Sequence, residues 1–174
     1  MGILNGKTIA ITGAGGGLGR EHALLVASEG ANVIVNDLGG SVDGQGDDKA
    51  PAQKVVEEII SAGGKAVANI DNIATIEGAQ NLLKAGLDEF GDVTGLVNNA
   101  GILRDKMLVN MSEQEWDSVI NVHLRGHFCP TQVFAQYWRA QSKDGKEVKA
   151  TMVHTTSTSG LLGNVGQTNY GAAK

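Results

Sequence analysis

Thr12-Gly13-Ala14-Gly15-Gly16-Gly17-Leu18-Gly19-Arg20 is the stretch that decides the reading of this sequence. It follows directly on a short β-rich run, Thr8 to Thr12. It leads into a helical pattern from Leu18 to Ser28, with Leu18, His22, Leu25 and Val26 near one face. Glycines at a strand-to-helix junction let backbone N–H groups approach a pyrophosphate, and the helix dipole then faces the negative charge. Gly13, Gly15, Gly16, Gly17, Leu18 and Gly19 are therefore candidate contacts for a dinucleotide. Side chains at Gly13 or Gly17 are expected to obstruct that approach, and Gly19 to let the helix pack close to the sheet. The spacing is G-x-x-x-G-x-G rather than the G-x-G-x-x-G of the best-known fingerprint.

Working outward, strand-like runs alternate with helical patterns. Gly30 ends the first helix and Val33-Ile34-Val35 is a second strand. A Gly- and Asp-rich loop covers Gly39 to Lys49, and Pro51 suits the first turn of a helix carrying Val55, Val56, Ile59 and Ile60. After Gly63-Gly64 come a strand from Lys65 to Ile70, a helix from Thr75 to Phe90 and a strand from Val93 to Val97. Ser112 with Glu115 makes a capping box for a helix bearing Trp116, Val119 and Ile120. Helix is expected to resume after Gly126 to about Gln141. A polar turn, Ser142 to Glu147, precedes a fifth strand from Val148 to Thr155, and a last helix starts near Tyr170. Such alternation implies βαβ units with right-handed crossovers. The fold class is thus α/β: a doubly wound, Rossmann-like parallel sheet in three α/β/α layers, in one domain over 1–174.

Composition narrows the function. The 174 residues carry 25 glycines, about twice the usual share, in clusters at 13–19, 39–46 and 160–171 rather than in a collagen period. Net charge is −5 with pI near 5.3, and no Lys/Arg block suggests nucleic acid. No apolar run reaches the length of a membrane span, and no basic-then-apolar leader opens the sequence. The only cysteine, Cys129, sits in an apolar stretch and reads as a small core residue rather than a nucleophile. A cytoplasmic setting is expected. His22, His123, His127 and His154 lack ligand spacing, so no metal site is expected.

Asp37 ends the second strand, eighteen positions after Gly19. A carboxylate there accepts hydrogen bonds from an adenosine ribose and repels a 2′-phosphate. No Arg or Lys adjoins it in sequence, which favours NAD over NADP; as a plain alternative, it is an Asp in a turn.

Four motifs in order resemble the short-chain dehydrogenase/reductase signature: T-G-x-x-x-G-x-G at Thr12–Gly19, Asn98-Asn99-Ala100-Gly101, Ser157, and Tyr170-x-x-x-Lys174. The resemblance runs from Gly6-Lys7 to Lys174. Val35-Asn36-Asp37-Leu38-Gly39-Gly40, Gly63 to Asn69, Asn99 to Asp105 and Val122-His123-Leu124-Arg125-Gly126 look like the (3R)-hydroxyacyl-CoA dehydrogenase domain of peroxisomal-type multifunctional enzymes and their bacterial relatives. That subfamily uses NAD. Asn164-x-Gly166-Gln167-x-Asn169-Tyr170 is shared with 3-oxoacyl-ACP reductases and does not separate the two.

The resemblance implies a small-molecule substrate, a secondary alcohol or ketone such as a 3-hydroxyacyl-CoA. It makes Tyr170 the general acid/base, with Lys174 one turn on favouring the phenolate and binding the nicotinamide ribose. Ser157 is to polarise the substrate oxygen, and Asn121 to support a water relay to the lysine. Asp71 and Asn72 are to contact adenine, and Asn99 and Gly101 to line the cofactor cleft. Taken singly, a Ser after a strand is a cap, a Tyr at a helix start a packing residue and a mid-helix Asn a backbone partner.

Members of that family are dimers or tetramers through helices near 75–90 and 112–141, and Val133 to Trp138 suits an interface or a core face equally. The family continues beyond this helix with two more strands, a Pro-Gly cofactor loop and a substrate loop. With the sequence ending at Lys174, the expectation is a sheet lacking those last strands. The 174 residues by themselves are then expected not to turn over substrate, and a catalytically inactive cofactor-binding or scaffold form is the alternative reading.

Overall fold

The computed structural model describes residues 2–39 and 50–174; the Gly- and Asp-rich stretch expected as a loop lies, over residues 40–49, outside the described residues. Five parallel strands form one sheet in the order β3-β2-β1-β4-β5: β1 (Thr8–Thr12), β2 (Asn32–Asn36), β3 (Lys65–Asn69), β4 (Gly95–Asn98) and β5 (Thr151–His154). β1 and β2 pair from Thr8↔Asn32 to Thr12↔Asn36, and Asn36 pairs with Asn69 of β3. β4 joins the other side of β1, so strand order reverses between β1 and β4, and β5 lies outside β4. The doubly wound α/β reading holds.

Successive residues of the central strands point to opposite faces, and both faces are covered. Ile11, Val33 and Val35 pack with Ala23 of α1 (Gly17–Ser28) and with Val55, Val56 and Ile59 of α2 (Ala50–Ser61). Ala10, Ile34 and Leu96 pack on the other face with Leu82 and Leu83 of α3 (Ile76–Phe90) and with Cys129, Val133 and Phe134 of α5 (Gly126–Lys143). Strands buried on both faces are what an all-parallel sheet requires. Cys129 is thus a core residue. Val133 and Phe134 are core as well, and Trp138 donates its indole N–H to Val93 O (2.7 Å).

The helix ends follow their chemistry. Thr75 Oγ accepts the Gly78 amide to start α3, and Gly91, with φ +81°, closes it in the left-handed region. Ser112 and Glu115 form the expected reciprocal capping box for α4 (Glu113–Ile120).

Three boundaries differ from the sequence reading. β4 starts at Gly95 rather than Val93, because the Asp92 carboxylate takes the Val93 amide and the Val93 carbonyl serves Trp138. β5 starts at Thr151 rather than Val148, and its residues are largely exposed. The helix expected to break near Gly126 is continuous. Residues Asn121–Arg125 form one π turn joining α4 to α5, closed by the Gly126 amide on Asn121 O. Gly126 serves packing there: a β-carbon on it would lie 2.4 Å from Ile73 Cδ1. A 3₁₀ turn at Leu108–Asn110, a short helix α6 (Thr158–Leu162) and α7 (Thr168–Ala173) complete the described elements.

Candidate active site

Thr12, Asn36, Asn69 and Asn98 end strands β1 to β4, and all four are buried. A cleft of about 790 Å³ opens above these polar ends, at the point where strand order reverses. Asp37 and Asp71 line one part of it, the glycine loop its floor, and Asn121, His123, Tyr170 and Lys174 another part.

The loop from β1 to α1 is built for an anion. Gly13 and Gly17 take φ values of +63° and +51°, which only glycine adopts without strain. A β-carbon on Gly16 or Gly17 would meet nothing within 4 Å, so the backbone there is open to the cleft. At Gly13 it would meet Ala100 Cα at 2.7 Å, and at Gly19 the Gly13 carbonyl at 2.1 Å. A side chain at Gly17 would therefore meet only the cleft. Gly13 and Gly19 are glycine because the chain packs on itself. Among the described residues no side chain caps α1, and no acid sits in its first turn, so its leading amides face no described partner. Arg20 turns away to Glu21 and Glu58, which hold its guanidinium above its ordinary value, Glu58 first.

Asp37 accepts the Gly15 amide on Oδ2 (2.9 Å) and the Gly39 amide on Oδ1 (2.8 Å). Among the described residues no cation forms an ion pair with it. Asn99 ties the loop to β4: its amide nitrogen donates to Thr12 O (3.1 Å) and Gly13 O (3.3 Å), and its N–H donates to Thr12 Oγ (3.0 Å). Asp71 lies in the cleft. Asn72 lines it too, but its side chain accepts the Ala74 amide (2.9 Å) in the turn before α3.

At the other part of the cleft, Lys174 Nζ donates to Thr155 O (2.8 Å) and stands 5.6 Å from the centre of the Tyr170 ring. Burial lowers the lysine below its ordinary value. Tyr170 meets His123 edge-on, with ring centres 4.9 Å apart. Sequence reasoning set His123 aside as a non-ligand. It is a buried wall of the site, its Nε2 bonded to the Ile102 backbone, and a β-carbon on Gly101 would lie 2.3 Å from its ring. Burial pushes its pKa down to about 4, so the ring is neutral at neutral pH. Its sequence signal was its place two residues after Asn121. Both lie in the π turn and both line the cleft.

Asn121, Tyr170 and Lys174 therefore come together. Ser157 does not line the cleft: it caps α6, accepting the Ser159 amide on Oγ (3.2 Å), and its O–H stays free to donate. Among the described residues no group of three His, Cys, Asp or Glu could hold a metal, and no helix is long and apolar enough to cross a membrane. Free helix amides, an open glycine floor and a carboxylate at a strand end fit a dinucleotide.

The family model described as short chain dehydrogenase matches residues 7–174. The hydroxyacyl-CoA dehydrogenase ChsB1 of Mycobacterium tuberculosis is 48% identical, over 98% of this chain and 53% of its own length. The peroxisomal multifunctional enzyme type 2 of Mus musculus is also 48% identical, over 98% of this chain and 22% of its own. A crystal structure of a short chain dehydrogenase from Mycobacterium avium superposes with a TM-score of 0.92 at 50% identity, covering 99% of this chain and 61% of that one. The chain thus spans less than two thirds of each of these relatives.

Proposed function

This chain belongs to the short-chain dehydrogenase family, and on that premise we propose that it serves an NAD-dependent oxidoreductase interconverting a secondary alcohol and a ketone, with a 3-hydroxyacyl-CoA-like thioester as substrate. The observation that carries this reading is the placement of Tyr170 on α7 and of Lys174 at its C-terminal cap in the same cleft that Asp37 and the glycine floor line. The dinucleotide, when bound, supplies the hydride acceptor or donor.

In the oxidising direction the Tyr170 phenolate takes the alcohol proton while the carbon-bound hydrogen leaves as hydride. In reduction the phenol returns that proton to the ketone oxygen. Lys174, anchored on Thr155 O, holds its ammonium in the same cleft, 5.6 Å from the centre of the Tyr170 ring. Ser157 caps α6 outside this cleft, so its expected role of giving its O–H to the substrate oxygen rests on the family resemblance alone. Asn121 supports a water that reloads the lysine. Asp37, without a described cation beside it, favours NAD over NADP.

The substrate class rests on the relative named as a hydroxyacyl-CoA dehydrogenase, and on the exposed apolar side chains of Met107, Leu108, Leu161, Leu162 and Val165. They flank the bridge between Lys106 and Gln167, near enough to the Tyr170 helix to meet an acyl chain. We place the protein in the cytoplasm, in line with its lone buried cysteine, and as a dimer or tetramer, in line with exposed Leu124 and Phe128 on the α4–α5 helix.

The test is hydride transfer by the full-length protein, followed by the near-ultraviolet absorbance of the reduced cofactor. A 3-hydroxyacyl-CoA and NAD should give NADH, and Tyr170→Phe should lower the rate by about a hundredfold or more. NAD binding without turnover of hydroxyacyl thioesters, carried on CoA or on acyl carrier protein, would favour a cofactor-binding form instead.

A further inference from the structure

Asn36 and Asn69 lie opposite each other where β2 and β3 end, and only 2% and 6% of their surfaces are exposed. Two buried amides cost stability unless their polar atoms are bonded. Here the bonds converge on Asp71. Asn36 Nδ2 donates to Asn69 Oδ1 (2.7 Å) and to the Asp71 carbonyl (3.0 Å). Asn69 Oδ1 also accepts the Asp71 amide (3.2 Å), and Asn69 Nδ2 donates to Asp71 Oδ2 (2.7 Å). From the exposed side, Asn81 of α3 donates Nδ2 to Asp71 Oδ1 (2.9 Å). Backbone and both carboxylate oxygens of Asp71 are thereby fixed by three asparagines from three elements. The same asparagines brace the neighbouring contacts, since Asn36 O accepts the Ala14 amide (2.8 Å) and Asn69 O the Asp37 amide (3.0 Å).

The family resemblance already sets Asp71 against the adenine; we infer that Asn36, Asn69 and Asn81 are the positioning residues that lock its carboxylate in the cleft, so that this end of the site rejects a base without an amino group. The inference rests on the cofactor reading above. Each carboxylate oxygen keeps a lone pair beyond its asparagine bond, and a carboxylate only accepts hydrogen bonds. An exocyclic amine of the base can donate to it; a carbonyl in the same place meets it as acceptor against acceptor. A mobile carboxylate could turn aside from that clash, whereas a locked one cannot.

The experiment is calorimetric titration of the protein with NAD, with its hypoxanthine analogue and with nicotinamide mononucleotide. Wild type should bind NAD about tenfold or more tightly over the hypoxanthine analogue, as a charge-assisted hydrogen bond gained against a repulsion requires. Asn81→Ala, at an exposed helical position where alanine favours the helix, should leave folding and mononucleotide affinity unchanged and shrink that preference to about twofold. A merely structural asparagine would not move the ratio. An unchanged ratio in Asn81→Ala, or equal wild-type affinity for the two dinucleotides, overturns the positioning role alone. If neither dinucleotide binds wild type, the cofactor reading falls, and the inference falls with it.

Discussion

Single residues in the loop between β1 and α1 divide by what a side chain would strike. Gly19 has the Gly13 carbonyl 2.1 Å from where its β-carbon would stand, whereas Gly16 has open space and an extended backbone. Gly19→Ala is therefore expected to cost about 2 kcal/mol in chemical denaturation, as overpacking does. Gly16→Ala should change stability by less than about 0.5 kcal/mol and instead weaken dinucleotide binding. Equal stability losses at both would contradict this division.

His123 and His127 give a second residue-scale expectation. Burial pushes both from their ordinary value of 6.5 down to about 4, with the Lys174 charge adding to it. The folded protein keeps both rings neutral where the unfolded chain has begun to protonate them. Unfolding between those values takes up protons, so their contribution to stability is full above about pH 6.5 and is lost as pH falls toward 4. Denaturation measured across this window should show uptake of up to about two protons from these rings, and about one fewer when either histidine is replaced by phenylalanine. A replacement that leaves the uptake unchanged would count against their being neutral in the fold.

Elements were legible in the sequence to the extent that their causes are local. The glycine loop, the Ser112–Glu115 box and the strand runs at Thr8 and Val33 are set by neighbours along the chain, and they stand where the pattern put them, the second strand one residue longer at each end. The ends of β4 and β5 were not legible, because they depend on a distant acceptor for Val93 and on an exposed sheet edge. Nor was the π turn: Gly126 reads as a breaker in sequence, and its packing on Ile73 shows only once α3 and α5 are side by side. The asparagine bonds to Asp71 were missed for the same reason, since they need β2 and α3 brought to the end of β3.

The π turn carries one extra residue into the helix, and π turns of this kind recur at functional sites. Deleting Leu124, whose side chain is exposed, should restore regular α geometry and rotate Asn121 and His123 by about 100° relative to α5. The expected result is a protein of unchanged helix content that has lost hydride transfer. Retained activity would show that the turn does not set the site.

For the molecule as a whole, sheet topology gathers buried polar strand ends beneath one cleft, and charge is arranged along it rather than concentrated. The protein is acidic overall, and Arg20 beside the glycine loop is taken up by Glu21 and Glu58, so backbone amides are left to hold phosphates. On the proposed reading, Asp37 decides which dinucleotide the cleft accepts. The most direct measurement is a parallel titration of wild type and Asp37→Ala with NAD and NADP. Wild type should bind NAD at least about tenfold more tightly than NADP, and Asp37→Ala should reduce that preference to a few-fold, because a carboxylate that accepts the ribose hydroxyls also repels a 2′-phosphate. Binding of neither dinucleotide, or NADP bound by wild type as tightly as NAD, would contradict the account.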